Sequence, residues 1–387
     1  MILSLGGAQS ASAGDTSLLD TDGSAGYDHG FVVSDASGDN TLKFNLLSQF
    51  RYVWNQRRSD TAPGANDKTT VGFQTFEVLP VISGTVLDKR LGYQVSAIAS
   101  DLLTGISLLD AFGSWQFDES WRMRWGQFKP ALLREFNLSP AKQLAMERSV
   151  INLAFAPSWV QGIDVRGQWD RHRFSVGVID GFLTRNSDIV SSKEADFGVG
   201  VRGEWLLGGE DGAWSRFNDF TSFRGQSFAA QFGLAGYWQT GGATNGTIDA
   251  DMYWWSSDLS FEGDGWNGMV AYVGRYIDAA GASGVYDQGL VVQGGVFATD
   301  RLEPYARWAA IIPGDRPSGD STQNVVSVGG NYYFVPESHT LKLTTELSVF
   351  LNDTSSSVVL PPNTGSGLLP DLESGQFALR VQIQMLF

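Results

Sequence analysis

The sequence predicts an all-β fold, an antiparallel β-barrel of about sixteen strands. The first observation is a period of two along the chain, with apolar side chains on one face and polar side chains on the other. The second is the composition, in which 13 Trp, 11 Tyr and 24 Phe favour strands and 46 Gly favour turns. The third is the length of the connections, which alternates between short and long.

Charge and composition exclude several other classes. The 387 residues carry a formal net charge of -15, whereas a nucleic-acid partner requires a basic surface. There is no cysteine, and His29, His172 and His339 lie far apart, so we expect no cofactor, no metal site and no enzymatic activity. No apolar run approaches the roughly 18 to 20 residues of a membrane-spanning helix.

The first forty residues differ from the rest of the chain. Residues 1–13 end in the A-x-A pattern Ala11-Ser12-Ala13, so we expect the remnant of an export signal, with an unstructured N-terminus as the alternative. Residues 14–40 are rich in Asp, Gly and Ser, and we expect an acidic, flexible segment. The barrel should then occupy residues 41–387.

The first strand begins near Thr41 and reads TLKFNLLSQFRYVWN, with apolar residues at most even positions and polar residues at most odd positions. In the second, around 70–86, Pro80 blurs the pattern. The same period predicts fourteen more strands, near 91–99, 109–117, 121–125, 163–169, 174–178, 197–205, 226–239, 249–262, 266–277, 287–298, 303–312, 324–335, 340–352 and 375–387.

The connections between these strands alternate in length, as in barrels with short periplasmic turns and long external loops. One connection breaks this rule, because 208–225 is long where a short turn is expected. The predicted tight turns are 87–90, 117–120, 169–172, 263–265, 299–301 and 336–339, and the predicted long loops are 55–68, 130–158, 181–194, 313–323 and 353–374.

A soluble two-sheet sandwich would also alternate, but it would pack its apolar faces against each other. A barrel of this size is too wide to be filled by its wall, so its apolar face meets lipid and its polar face meets water. Aromatic residues cluster at strand ends, as interfacial girdles require, which favours a transmembrane barrel. They are Tyr52, Trp54, Trp115, Phe117, Trp121, Trp125, Trp169, Trp205, Trp238 and Trp266.

Several stretches resemble the phosphate-selective porin family. The most specific is WRMRWGQFKPALLREFNLSPAKQLAMERS, and the others are YDHGFVVSDASGDNTLKFN, LDKRLGYQVSA and VGGNYYFVPESHTLKLTTELSVF. The resemblance implies a sixteen-stranded, trimeric porin in the outer membrane of a Gram-negative-type bacterium. It also implies that loop 130–158 folds into the channel as its constriction, and that the terminal Phe387 is read by the barrel assembly machinery.

The second strand departs from the family pattern. It reads GFQTFEVLPVISGT and places Phe76, Glu77 and Leu79 in the region where family members usually carry arginines.

Positive charge is concentrated on the predicted constriction. Residues 121–148 carry more basic than acidic side chains, whereas 225–274 contain no Lys or Arg. A narrow, partly desolvated neck amplifies fixed charge, and cationic side chains lower the barrier for anions. The predicted constriction residues are Arg122, Arg124, Lys129, Arg134, Glu135, Lys142, Glu147 and Arg148.

A structural interpretation of the same residues remains open. Arg134 with Glu135, and Glu147 with Arg148, could form ion pairs that fix the loop to the wall without creating selectivity. Lumen-facing charges could likewise pair with each other across the wall. The predicted wall residues are Lys43, Arg51, Asp164, Arg166, Arg202, Glu204, Arg307, Glu346 and Arg380.

These observations favour a porin, a water-filled channel for passive diffusion of small hydrophilic solutes and ions, with an anion bias at a basic constriction. The alternative is a structural or adhesive barrel with a largely blocked lumen. The expected partners are outer-membrane lipid, two further copies in a homotrimer, the barrel assembly machinery and small hydrophilic or anionic solutes.

Overall fold

The computed structural model describes residues 23–59, 68–100, 105–241, 250–316, 321–354 and 367–387. Sixteen antiparallel strands form one closed barrel, which confirms the predicted fold class. Two shorter strands precede them, so barrel numbering starts at β3. The barrel strands are β3 (Thr41–Gln56), β4 (Thr69–Val86), β5 (Asp88–Ile98), β6 (Ser107–Gln116), β7 (Trp121–Phe128), β8 (Val160–Gln168), β9 (His172–Ile179), β10 (Phe197–Gly208), β11 (Ala229–Thr240), β12 (Ala250–Gly263), β13 (Trp266–Ala279), β14 (Val285–Val296), β15 (Leu302–Ile312), β16 (Gln323–Tyr333), β17 (Leu341–Phe350) and β18 (Gln376–Leu386).

The barrel closes where the last strand pairs with the first. In this register Gln382 of β18 lies opposite Arg51 of β3, and the pairing continues to Leu386 and Leu47. Phe387 completes the seam, because its N–H donates to the carbonyl of Leu46 at 3.1 Å and its own carbonyl accepts from the Leu46 N–H at 2.7 Å. Closure pairs the two terminal barrel strands with each other, so neither is left as a free edge of the sheet.

Burial of the strand faces is inverted relative to a soluble protein. In β18, Val381 and Ile383 are 36% and 43% exposed, whereas the alternating Arg380 and Gln382 are each 1% exposed. A sandwich would bury the apolar face and expose the polar one. The strand period therefore directs apolar side chains outward and polar side chains inward, as predicted for a transmembrane barrel.

A small hairpin precedes the barrel. Strand β1 (Ser24–Tyr27) pairs with β2 (Phe31–Ser34), and β2 pairs with the start of β3. Ordered structure thus begins before Thr41, earlier than the sequence predicted. Residues 1–22, which include the predicted export-signal remnant, lie outside the described residues.

One end of the barrel carries the short turns. Between β12 and β13, Gly263 pairs with Trp266, so Asp264 and Gly265 alone make the turn. Gly265 has φ +70°, a conformation that favours glycine and suits a two-residue hairpin. We call this the short-turn end and the opposite one the long-loop end.

The connection between β7 and β8, residues 129–159, folds into the barrel, and we call it the inner loop. It contains two short helices, α1 (Arg134–Asn137) and α2 (Val150–Phe155), with a 3-10 turn at Pro140–Lys142 between them. Its apolar side chains, including Leu144 and Ile151, pack against the inner wall in one buried cluster. No helix within the described ranges is both long and apolar enough to span a bilayer.

The inner wall facing this loop is itself apolar, which the sequence analysis did not predict. Trp254, Val273, Val291 and Ile311 are fully or nearly fully buried against the inner loop. The expectation that apolar side chains face lipid and polar side chains face water is therefore wrong on this part of the wall. The physical reason is that the loop, rather than water, covers it.

The long connection 209–228 lies at the short-turn end, and we call it the strap. A 3-10 turn at Ala213–Asn218 forms its centre, and its Trp214 and Phe217 are buried. The Phe220 N–H donates to the carbonyl of Lys142 at 3.1 Å, so the strap contacts the inner loop.

Candidate pore neck

The inner loop divides the barrel interior into two sides. On the filled side, from β11 to β18 and β3, the loop packs directly on the wall. On the open side, along β4 to β10, two adjoining cavities of about 520 Å³ and about 460 Å³ remain between wall, loop and strap. The two cavities share Arg122, Arg166, Arg173, Arg202, Glu204, Ala131 and Asn218, and we call the space that these residues line the neck.

The neck carries an excess of positive charge. Seven cationic side chains line its larger cavity together with two carboxylates, Asp110 and Glu204. Two further carboxylates, Asp164 and Asp258, do not line the cavity but pair with Arg124 and Arg202, respectively. Among these described residues, three positive charges are left without a matching negative charge. The cations are Arg122, Arg124, Lys129, Arg134, Arg166, Arg173 and Arg202.

Two wall arginines share one carboxylate. Arg124 donates to both oxygens of Asp164, at 2.9 and 2.6 Å, in a bidentate ion pair. Arg166 donates its Nε–H to the same carboxylate at 2.9 Å and remains partly accessible from the neck. The period of β7 and β8 places all three side chains on the inner face.

A second cluster lies on β10 and β12. Arg202 contacts Glu204 at 3.0 Å and Asp258 at 2.8 Å, and it also donates to the carbonyl of Leu132 in the inner loop at 3.3 Å. Arg202 is 2% exposed, so its charge is fixed by its partners. Asp258, from the stretch 225–274 that contains no Lys or Arg, thus neutralises a wall arginine.

Arg122 and Arg173 are the more available cations. Arg122 is exposed to the cavity, and the structure assigns it no ion pair within the described residues. Arg173 donates to Gln168 at 2.8 Å and lies 4.3 Å above the ring of Trp214. Arg173 was missed by the sequence analysis, although its place beside outward-facing Phe174 marks it as an inward position of β9.

Lys129 lies where β7 meets the inner loop. Its ammonium donates to the carbonyl of Phe136 at 3.0 Å and lies 4.8 Å from the ring centres of both Phe136 and Trp159. Such cation–π contacts hold the charge at the cavity wall. The Trp159 Nε1–H in turn donates to Asp110 at 3.0 Å.

Arg134 anchors the inner loop to the wall. Its guanidinium donates to Ser260 at 2.9 Å and to Gln231 at 3.2 Å, and it lies within 5.5 Å of the rings of Phe217 and Phe220. It is 5% exposed. The predicted ion pair with Glu135 is therefore wrong, although a fixing role for Arg134 is consistent with these contacts.

Glu135 and Arg148 brace the loop internally. Glu135 accepts from the N–H and the hydroxyl of Ser149, both at 2.6 Å, and lies 3.7 Å from Arg307 of β15. Arg148 donates to the carbonyls of Glu135 and Leu138 at 3.1 and 2.7 Å.

Glu147 pairs with Arg51 of β3 rather than with Arg148, so the second predicted ion pair is also wrong. Two arginines of distant strands fix this end of the loop, since Arg307 also donates to the Glu147 carbonyl at 2.6 Å. Sequence neighbours on a tight loop point in different directions, and the complementary charge comes from the facing wall.

The filled side holds further buried charges. Glu346 pairs with Arg380 and accepts from the Met146 N–H at 3.1 Å and from the Tyr305 hydroxyl at 2.8 Å. Lys342, which the sequence analysis missed, donates to the carbonyls of Ala141 and Gln143 at 3.3 and 3.1 Å.

Two further predicted site residues lie at the short-turn end, away from the neck. Lys43 and Lys142 border a separate cavity of about 560 Å³ at the short-turn end, beside Phe387. Lys43 is 3.6 Å from Asp28 of the N-terminal hairpin. Phe387 packs edge-on against Phe31, with 5.8 Å between ring centres.

The second barrel strand presents no arginine to the lumen. A bulge between β3 and β4 lets Phe76 intervene between Thr75 and Glu77, so both Phe76 and Glu77 are turned inward. The Arg51 guanidinium stacks on Phe76, 3.5 Å from the ring centre. Within the described ranges, no cluster of His, Asp and Glu is arranged to hold a metal ion.

No family model matches the chain, and no curated protein matches it. Solved structures do match. They include an anion-selective porin from Comamonas acidovorans, with 11% identity and a TM-score of 0.63 over 90% of this chain and 100% of that chain. Salmonella typhi OmpF in complex with daunomycin has 13% identity and a TM-score of 0.60 over 94% and 100%. Pseudomonas putida OprB has 10% identity and a TM-score of 0.58 over 89% and 94%.

At these identities the likeness shows the fold alone, a closed barrel shared with outer-membrane porins. The phosphate-selective subtype is therefore a matter for proposal.

Proposed function

We propose that the protein is a porin of a Gram-negative-type outer membrane, a water-filled channel for passive diffusion of small hydrophilic solutes and ions with a bias for anions at the neck. The observation that carries this proposal is the open side of the barrel, where seven cationic side chains border a water-accessible cavity. The outward apolar face fits a bilayer, and the fold is that of outer-membrane porins.

The anion bias follows from the geometry of charge. A cavity bounded by protein and lipid has a low effective dielectric constant, so fixed charge acts over a longer range than in bulk water. The paired arginines Arg124, Arg166 and Arg202 are balanced by three carboxylates, so the bias rests on the remaining cations, of which Arg122 and Arg173 offer donors to a passing anion. The nearby carboxylates keep binding weak enough for release.

The orientation follows from the connections. Outer-membrane barrels place short turns in the periplasm and longer loops outside, so the short-turn end is periplasmic and the inner loop enters from the long-loop side. The phenylalanine at the end of β18 serves as the assembly signal, and we expect Phe387→Ala to lower the yield of folded barrel in the outer membrane.

The test is the zero-current potential of the purified protein in a planar bilayer with a potassium chloride gradient. Wild type should give a stepwise conductance and a potential of anion-selective sign. Arg122→Glu should reduce or invert that potential, because it places a negative charge in the neck. Lys89→Glu makes the same charge change at an exposed position at the start of β5 and should leave the potential nearly unchanged.

Cation preference in wild type, or equal shifts from the two variants, would overturn the anion bias. The filled side favours one other candidate, a structural or adhesive barrel with a largely blocked lumen. That candidate predicts no stepwise conductance at all.

Two finer statements belong to the same proposal. Phosphate is a suitable anion because the arginine fork can bind it through two parallel hydrogen bonds, and added phosphate should then block the chloride current. A chloride current that added phosphate does not block would restrict the channel to general anion diffusion.

A homotrimer would bury part of the outward apolar face, and chemical cross-linking in detergent should yield three-chain species.

A further inference from the structure

The strap, residues 209–228, occupies a position where the other described hairpins at the same end have short turns. It does not extend away from the barrel. Its Trp214 is 1% exposed and donates its Nε1–H to the carbonyl of Trp169 at 2.7 Å. This first contact seats the strap on the turn between β8 and β9, beside the neck.

The strap then crosses toward the opposite wall. Arg216 lies 3.6 Å from Glu262 of β12, and the Ser222 hydroxyl donates to the carbonyl of Gly263. Thr221 and the hydroxyl of Tyr333 share a hydrogen bond of 3.1 Å at the end of β16. Together with Trp169, these partners lie on one turn and two strands, β12 and β16, so the strap spans the short-turn end.

Its far end docks in a buried aromatic site. Phe223 contacts the rings of Phe297 and Tyr333, each 5.3 Å away between centres. His339, which is 7% exposed, lies 3.4 Å from Asp219 of the strap. Packing and polar contacts therefore hold the strap in place from Trp214 to Phe223.

The strap also contacts the inner loop. The Asp219 carbonyl accepts from Arg134 at 3.5 Å, and that guanidinium lies close to the rings of Phe217 and Phe220. The two connections therefore meet inside the barrel, one from each end of it.

Between these contacts the strap presents a polar side chain to the neck. Asn218 is exposed, and it lines both cavities of the neck together with Arg122, Arg166 and Arg173. Phe217 lines the larger cavity next to it. The strap thus contributes a neutral amide to the wall of a neck whose other polar side chains are mostly cationic.

We infer that the strap is a second permeation-determining element, which completes the neck from the short-turn end, with Asn218 as a specificity-determining residue. This inference rests on the proposed channel function. A charge at position 218 acts across the same water-filled space as Arg122 and Arg173. Ions that pass the inner loop then meet the strap before they leave the barrel.

The test compares three variants by zero-current potential in the same salt gradient. Asn218→Asp should lower the anion-to-cation permeability ratio and Asn218→Lys should raise it, each by roughly twofold to tenfold, as expected for one charge in a narrow aqueous neck. Glu210→Lys raises the charge by two at an exposed strap residue outside both cavities, twice the change of Asn218→Lys, and should still change the ratio far less.

Equal effects of Asn218→Lys and Glu210→Lys, or no effect of either position 218 variant, would overturn the inference. If the inference fails but wild type is anion-selective, the proposed channel function still stands. A wild type without conductance would contradict both the channel function and the role of the strap. If a charged variant does not fold, Asn218→Cys can be modified with charged thiol reagents after folding, because the chain has no other cysteine. Modification that leaves the ratio unchanged would contradict the inference equally well.

Discussion

The two sides of the barrel interior use the same residue types for different purposes. On the filled side, Arg51 and Arg380 are at most 1% exposed, and each pairs with a carboxylate of the inner loop or the wall. On the open side, Arg122 and Arg173 border water. An inward-facing arginine therefore indicates a pore only where the surrounding volume is not occupied by another part of the chain.

The difference arises from the inner loop. Its apolar side chains need an apolar wall, and β11 to β17 supply one that includes Trp254, Val291 and Ile311. Polar side chains remain on the opposite wall, where the loop presents Lys129 and Asn137 to the cavity. Burial of the loop on one side thus leaves the other side aqueous.

The largest expected effect separates a structural arginine from a neck arginine. Arg380→Met should destabilise the folded barrel by about 3–5 kcal/mol, because Glu346 would remain buried without its partner. Arg122→Met on the open side should change stability by about 0.5 kcal/mol or less. Urea unfolding in detergent or lipid measures both. Similar losses for the two variants would break the contrast between the sides.

A smaller effect is expected from the packing of the loop. Leu144 is fully buried in the cluster between loop and wall, so Leu144→Ala should cost about 2–5 kcal/mol through lost contacts and a cavity. Leu351→Ala removes the same atoms from a half-exposed position and should cost much less. Thermal unfolding of both variants checks this prediction. A Leu144→Ala variant as stable as wild type would mean that the loop is not packed as described.

The smallest expected effect is a pH dependence of the strap. His339 lies in the turn 334–340, and burial lowers its pKa despite the neighbouring Asp219. Lys342 and Lys142 act in the same direction as burial, and the rings of Phe223 and Tyr333 provide no charge. The strap docks against neutral His339. The free energy that holds the strap in place is therefore at its full value above the ordinary histidine pKa and falls as the pH drops below it.

We therefore expect wild-type conductance to become noisier or larger between about pH 7 and about pH 5, as the strap loosens. His339→Gln keeps an uncharged polar side chain at this position and should remove that part of the pH dependence. Identical pH profiles for both proteins would show that His339 does not control docking of the strap.

Much of the fold could be predicted because it follows from local periodicity. The alternation in β3 and β18, and the two-residue turn at Asp264-Gly265, are properties of neighbouring residues. The number of strands, sixteen, and their approximate bounds follow directly from this local pattern. The N-terminal hairpin escaped prediction because its two strands have only four residues each, too few to establish a period.

The interior could be predicted only in part. Inward positions such as Arg124, Asp164 and Arg202 follow from the strand period, but the partner of each depends on which strand or loop faces it. The Arg51–Glu147 pair joins residues far apart in sequence, and no local pattern indicates it. The sequence did contain a signal of the apolar inner wall, because Met252 and Trp254 occupy positions of β12 whose side chains point into the barrel.

Accessibility of the two sides can be compared most directly in the cysteine-free chain. Arg122→Cys on the open side and Ser348→Cys on the filled side are each reconstituted in planar bilayers and exposed to a negatively charged methanethiosulfonate reagent. The described geometry predicts a rapid fall in anion current for Arg122→Cys and no change for Ser348→Cys, whose position is 2% exposed. Rapid modification of Ser348→Cys, or an unreactive Arg122→Cys, would contradict the division of the barrel into a filled side and an aqueous neck.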